Sequence, residues 1–336
     1  MADERLLLIR LGSLGDIVHT LPAAAALRAA RPEARIEWVV ESKWAPLLQG
    51  NPDLDKVVLL DRAKRSGYWV CAAFLRGARY QCAIDFQGLY KSACLAWLAQ
   101  IPKRIGFSFT SAREAGAALF YTQRYPATGG HVVEQNLALA ARLLHARASL
   151  APVACKLAIP PPAASRIEEQ LRHSRLEDFY LLSPGGGWRS KCWPAERYGQ
   201  LHRLLAEKYG WRGMISFGPG ERELAETVLT ASGEPAPVIL PMDLPELMAA
   251  MRRAKFVVAA DTGPLHLAAA LGTPVVGLYG PTDPARNGPY GAAESVVDRA
   301  RPEERTYRRG REFAPAMLRI SVDDVVAGIE RRLGMR

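Results

Sequence analysis

The stretch "LLLIRLGSLGD", residues 6–16, decides how this chain is read. An apolar run gives way to two glycines and an aspartate, and a helix-like segment follows. Consecutive apolar residues suit a strand buried on both faces, the kind found in parallel sheets. Gly12 and Gly15 permit a tight turn, and Asp16 falls in the first turn of a helix expected over residues 17–30.

The pattern recurs along the chain. "IEWVVE" (36–41), "KVVLLD" (56–61) and "CAIDFQG" (82–88) continue it in the first half. "FYLLSPGG" (179–186), "GMISFG" (213–218), "PVIL" (237–240), "FVVAAD" (256–261) and "PVVGLYG" (274–280) continue it in the second. Short strands alternating with amphipathic segments mean βαβ units, an α/β chain with parallel sheet. At 336 residues the chain is long for one core, and two domains are the default. "IPPPAAS" (159–165) reads as too proline-rich for helix or central strand and marks the boundary. Residues 1–160 and 165–320 then form two Rossmann-like domains facing an interdomain cleft. The segment 321–336 is a terminal helix, with Ser321 as its cap, acids early and arginines late.

Composition narrows the class. With 44 basic and 34 acidic residues the formal charge is +10, which favours an anionic partner. No recognition helix, zinc finger or RNA-binding aromatic motif accompanies the charge, so nucleic acid is not expected. The N-terminus does not read as a signal peptide, and residues 256–282 are too interrupted by Asp261, His266, glycines and prolines to span a membrane. The expectation is a cytoplasmic protein. Cys71, Cys82, Cys94, Cys155 and Cys192 form no CxxC pair and read as reduced, structural thiols.

Open α/β sheets bind ligands beyond the carboxyl ends of their strands, which here carry residues 12–16, 85–88, 183–191, 218–221 and 261–266. Around Gly12 and Gly15 a dinucleotide fingerprint would need a third glycine, and Asp16 would place negative charge where a pyrophosphate should rest. Glu41 ends the second strand as a ribose-binding acid would, the one feature left for an NAD site. Two readings of Asp16 stand: an acid that satisfies a helix dipole, or a general base displayed in the cleft.

"SPGGGWRSKCWP" (183–194) offers the amides of Gly185, Gly186 and Gly187 and the ammonium of Lys191 to an anionic diphosphate, or is a glycine turn with a surface lysine. In "DTGPLHLAAALGTP" (261–274) Thr262 can cap a helix, and amides near Gly263 form a further anion site. Asp261 cuts against that unless it points at sugar hydroxyls, and His266 is either a core histidine or a ligand contact. "PDLDK" (52–56) has the D-x-D spacing of metal-dependent sugar transferases, but Asp53 and Asp55 look like ordinary turn acids, so no metal is expected.

Together these stretches resemble the family 9 glycosyltransferases, the ADP-heptose:lipopolysaccharide heptosyltransferases. The carriers are "GSLGDIVHTLPA" (12–23), "DFQGLYKSA" (85–93), "SAREAGAALFY" (111–121), "KCWPAERY" (191–198) and "DTGPLHLAAALGTPVVGLYGPTDP" (261–284). The resemblance covers nearly the whole chain, and the second and last motifs look closest to the branch acting on Kdo2-lipid A.

It implies a GT-B fold in which the second domain binds the donor and the final helix crosses back to the first. The implied reaction is metal-independent and inverting: an acceptor hydroxyl displaces ADP from ADP-heptose, with no further cofactor. Asp16 matches the family's base. Gly186, Gly187, Lys191, Glu221, Asp261, Thr262, Gly263 and His266 match its donor site, Glu221 at the adenosine ribose. Relatives carry threonines near Gly186 and Gly187, which leaves only amides here. Gly15, Arg62, Arg65, Gln87 and Arg113 are the expected acceptor contacts, with Arg104 and Arg124 also facing acidic groups. An anionic inner-membrane surface is the expected neighbour. With roles split between domains, closure is expected to assemble the site. Another family 9 heptosyltransferase or a GT-B-like nucleotide-sugar epimerase is the alternative.

Overall fold

Leu6, Leu7, Leu8 and Ile9 are all buried, so the opening run forms a strand with no solvent face, β1 (Arg5–Ile9). In this computed structural model, which describes residues 4–144, 151 and 156–335, the chain divides into two units at residues 158 and 159.

In the first unit β1 leads through α1 (Leu14–Val18) and α2 (Leu21–Ala30) to β2 (Arg35–Glu41) and β3 (Lys56–Leu60). Then follow α3 (Gly67–Gly77), β4 (Cys82–Asp85), α4 (Tyr90–Leu98), β5 (Lys103–Phe107), β6 (Gln123–Tyr125) and α5 (Val132–Ala141). The strand order is β3-β2-β1-β4-β5-β6 with parallel pairings, and Leu8 of β1 stands between Trp38 of β2 and Ile84 of β4. This is the doubly wound order, whose switch point lies between β1 and β4. Leu7, Ile9, Val58 and Leu60 from the sheet meet Cys71, Leu75 and Leu95 from α3 and α4 in one apolar cluster.

The second unit repeats the plan. It runs α6 (Pro161–His173), β7 (Phe179–Ser183), α7 (Ala195–Tyr209), β8 (Arg212–Ile215), α8 (Arg222–Ser232), β9 (Val238–Ile239), α9 (Leu244–Arg253) and β10 (Val257–Ala260). After these come α10 (Gly263–Ala270), β11 (Val275–Tyr279), α11 (Pro284–Asn287), β12 (Val296–Asp298), α12 (Pro315–Arg319) and α13 (Val322–Leu333). The order β12-β11-β10-β7-β8-β9 has its switch point between β10 and β7.

Four expectations change. The helix expected over residues 17–30 is two: Pro22 has no N–H for the Val18 carbonyl and its ring crowds that carbonyl, so α1 stops and α2 restarts. The proline run is not helix-free, because Pro161 and Pro162 occupy the first turn of α6, where a missing N–H costs nothing. β5, β6 and β12 escape an apolar-run reading because they are short and β5 opens with Lys103 and Arg104. Finally, α13 buries Val325, Val326 and Ile329 in the core of the second unit, where the expectation put it on the first.

Candidate active site

In the first unit, residues 10–16 leave β1 beside residues 85–88 leaving β4. Asp16 occupies the first turn of α1, and its Oδ2 accepts from Ser13 N at 3.1 Å and Ser13 Oγ at 3.0 Å. Arg10 Nη2 lies 2.6 Å from Asp16 Oδ1, and Arg113 Nη1 lies 3.7 Å from Oδ2. Burial opposes ionisation of Asp16, yet Arg10, Arg113, the Ser13 amide and His19 outweigh it and hold the carboxyl well below the usual range. Its side chain keeps 26 % of its surface in solvent, so a substrate hydroxyl can reach it.

Arg10 is buried and also donates to the Phe86 carbonyl, which ties β1's exit to β4's. The family motifs did not single it out; the signal available was a lone guanidinium inside an apolar run. Arg113 is brought to Asp16 by a close approach of loops. Gly88 has φ +64°, a Cβ there would stand 3.1 Å from Arg113 N, and Glu114 N donates to Gly88 O at 2.9 Å.

Gln87 behaves differently from a displayed ligand. It is buried, and its Oε1 accepts from Leu11 N at 2.7 Å, bracing the β1 exit. Asp85 beneath it accepts from Gln87 N at 2.8 Å and from the Tyr121 hydroxyl at 2.7 Å, while burial pushes its carboxyl up. Gly15 is buried within α1. Glu41 faces Arg62 Nη1 at 2.8 Å, Lys91 Nζ at 3.2 Å and Lys43 Nζ at 3.9 Å, so it is engaged by cations. Arg65 is exposed on the same loop as Arg62. Arg104 and Arg124 are largely structural: Arg104 donates to Phe120 O and Ile101 O, Arg124 to Ala118 O. Asp55 accepts from Ile36 N at 2.7 Å and pairs with Arg28, and Asp53 N donates to Asn51 Oδ1, the turn role expected of them. Among the described residues no three His, Cys, Asp or Glu side chains converge on a metal position.

In the second unit the exits of β7 and β10 carry the other cluster. Asp261 is buried and is its hub. Oδ2 accepts from Lys191 Nζ at 2.6 Å, Thr282 Oγ1 at 2.7 Å and Asn287 Nδ2 at 3.3 Å; Oδ1 lies 3.0 Å from His266 Nε2. Burial works against this carboxylate, but His266 and Lys191 keep it ionised far below the usual range. In this structure the Asp261 oxygens are thus occupied by neighbouring side chains. Lys191 Nζ also sits 4.4 Å from the ring centre of Trp188.

Glycines let the loops close on one another. A Cβ on Gly185 would overlap the Glu221 carboxylate, which itself accepts from Gly218 N at 2.7 Å. A Cβ on Gly186 would stand 2.9 Å from Thr262 Cγ2, whereas at Gly187 the space is open. Gly186, Lys191, Thr262, Gly263 and His266 thus meet at one switch point. Thr262 stands at the cap position of α10, but its hydroxyl donates to Ala260 O at 3.2 Å and does not cap the helix as expected. The segment after β12 is fastened to the Lys191 loop: Gly310 N donates to Ser190 Oγ at 3.3 Å, and Arg309 lies 5.7 Å from the Trp188 ring centre. Cys71 and Cys82 are buried, their thiols pushed up to about 11 and about 12, as inert structural cysteines should be; Cys155 lies outside the described residues.

Against known proteins, residues 71–316 match the family described as Glycosyltransferase family 9 (heptosyltransferase). Lipopolysaccharide heptosyltransferase 1 of Pseudomonas aeruginosa is 32 % identical over 86 % of this chain and 82 % of its own length. The structure of Escherichia coli heptosyltransferase WaaC with ADP superposes with a TM-score of 0.77 at 28 % identity, covering 98 % of this chain and 99 % of that one. A glycosyl transferase family 9 structure from Veillonella parvula gives a TM-score of 0.83 at 21 % identity, covering 98 % and 97 %, and shares the fold.

Proposed function

Because the chain belongs to glycosyltransferase family 9, the heptosyltransferases, we propose that it transfers L-glycero-D-manno-heptose from ADP-heptose to the Kdo residue of Kdo2-lipid A during lipopolysaccharide inner-core synthesis. The observation that carries the chemistry is the pair of clusters just described: an ionised, partly exposed Asp16 at one switch point and, at the other, the Lys191 ammonium held by Asp261 over the Trp188 ring.

The reaction is an inverting displacement. The acceptor hydroxyl oxygen bonds to the anomeric carbon, the bond from that carbon to the diphosphate oxygen breaks, and the hydroxyl proton passes to Asp16. A strongly acidic carboxyl is a weak base, so this transfer comes late, once the C–O bond has largely formed and the proton has become acidic. Lys191, held by Asp261 over Trp188, and the amides of Gly186, Gly187 and Gly263 stabilise charge on departing ADP. Glu221, beside Gly218, receives the adenosine ribose. Arg62, Arg65 and Arg113 meet acidic groups of the acceptor.

The acceptor is anchored in a bilayer, so the enzyme works on the cytoplasmic face of the inner membrane. A formal charge of +10 suits that anionic surface, and no helix among the described residues is long and apolar enough to cross it. Incubation with ADP-heptose and Kdo2-lipid A, followed by mass spectrometry of the lipid, tests the reading. One heptosyl unit should be added and ADP released only when acceptor is present. Consumption of ADP-sugar without acceptor would indicate the epimerase reaction.

A further inference from the structure

Helix α3 is apolar on two opposite sides. Cys71, Ala72 and Leu75 are buried against the first sheet, while Trp69, Val70 and Phe74 stand 62, 64 and 43 % exposed on the far side. A surface helix normally turns polar residues outward, and large apolar side chains grouped on one face mark a docking surface.

Charge identifies what docks. Residues 56–80 carry Lys56, Arg62, Lys64, Arg65, Arg76 and Arg79 against Asp61 alone. The cations bracket the apolar face: Lys56 Nζ lies 4.3 Å from the Phe74 ring centre, Arg62, Lys64 and Arg65 precede the helix, and Arg76 and Arg79 end it. A second copy seated face to face would bring two such rims together and be repelled. An anionic lipid surface satisfies both parts, with apolar side chains entering the headgroup boundary and basic ones meeting phosphates. The face also runs to the site: Arg62 and Lys91, at the leading ends of α3 and α4, both bind Glu41, whose N–H donates to Leu11 O on the segment leading to Asp16.

We infer that the outer face of α3 seats the first unit on anionic phospholipid headgroups. The inference rests on the proposal that the acceptor is held in a bilayer, and it is tested without acceptor so that the two can fail separately. Full-length protein is sedimented with phosphatidylglycerol-containing vesicles and with pure phosphatidylcholine vesicles, both free of glycolipid. Binding to the anionic vesicles should weaken with salt, and W69S/V70S/F74S should reduce it roughly tenfold or more with an unchanged unfolding midpoint. Should that variant fail to fold, Trp69→Phe with brominated lipids decides, because much of the wild-type fluorescence quenching should vanish with Trp69. Equal vesicle binding by variant and wild type, no wild-type binding to anionic vesicles, undiminished quenching in Trp69→Phe, or a variant that only loses self-association would each overturn the inference.

Discussion

The ammonium of Lys191 lies 2.6 Å from Oδ2 of Asp261, an ion pair that joins the loop after β7 to the end of β10 at the second unit's switch point. Asp261 is buried, and its two carboxylate oxygens engage Lys191, His266 and Thr282. Removing its charge leaves a partly buried ammonium without its counter-ion. Asp261→Asn should weaken ADP binding by about tenfold or more and lower the unfolding midpoint, read by calorimetry and thermal melts.

The same carboxylate has a pH signature. Its folded pKa is depressed, so its contribution to stability is complete above the unfolded carboxyl value and is lost as pH falls towards the folded one. The stability gap between wild type and Asp261→Asn should stay level above about pH 5 and narrow below about pH 4, where the unfolded carboxyl protonates. Urea melts across that range check it; a gap that widens on acidification would refute the assignment.

Asp16 is held acidic by two cations of different character. Arg10 is buried and tied to Phe86 O, whereas Arg113 is half exposed and sits 3.7 Å away. Removing Arg113 withdraws a charge that favours the carboxylate, so Asp16's pKa rises. In Arg113→Ala the acidic limb of the kcat/KM profile should move to higher pH. Arg10→Ala should do the same and also destabilise the fold, because it leaves Asp16 and Phe86 O without their buried partner. Asp16→Asn should lower kcat about 10²-fold or more with ADP affinity kept.

Much of this was visible in the residues themselves. Leu6 to Ile9 with Gly12 and Gly15 read as a buried parallel strand and a βα turn, and Asp16 and Lys191 fall after strand ends. What escaped were relationships between distant residues. Lys191, Thr282 and Asn287 reach Asp261 from 70, 21 and 26 positions away, so no local pattern reveals that its carboxylate is enclosed. Arg10 was hidden for the opposite reason: it lies next to the best-read strand, where an arginine is easily taken for an exposed end. β5 was lost because Lys103 and Arg104 mask its short apolar half, and α2's start because Pro22 acts sterically on Val18.

The glycines of the donor loop should divide sharply under substitution. Gly185 has the Glu221 carboxylate against its Cα, and that carboxylate in turn holds Gly218 N. Gly185→Ala must displace Glu221, so ADP affinity should fall while the reaction's pH dependence stays put, because Asp16 is untouched. At Gly187 nothing lies within 4 Å of an added Cβ and the backbone has no left-handed φ, so Gly187→Ala should leave stability within about 0.5 kcal/mol of wild type. Gly88→Ala probes the first unit in the same way. Its φ of +64° costs a Cβ-bearing residue about 1 kcal/mol, and the 3.1 Å approach to Arg113 N forces that loop to give. If Gly88 positions Arg113, Gly88→Ala should reproduce part of the acidic-limb shift of Arg113→Ala, and combining the two should add little further shift. A full additive shift in the double variant would mean that Gly88 acts on Asp16 by another route.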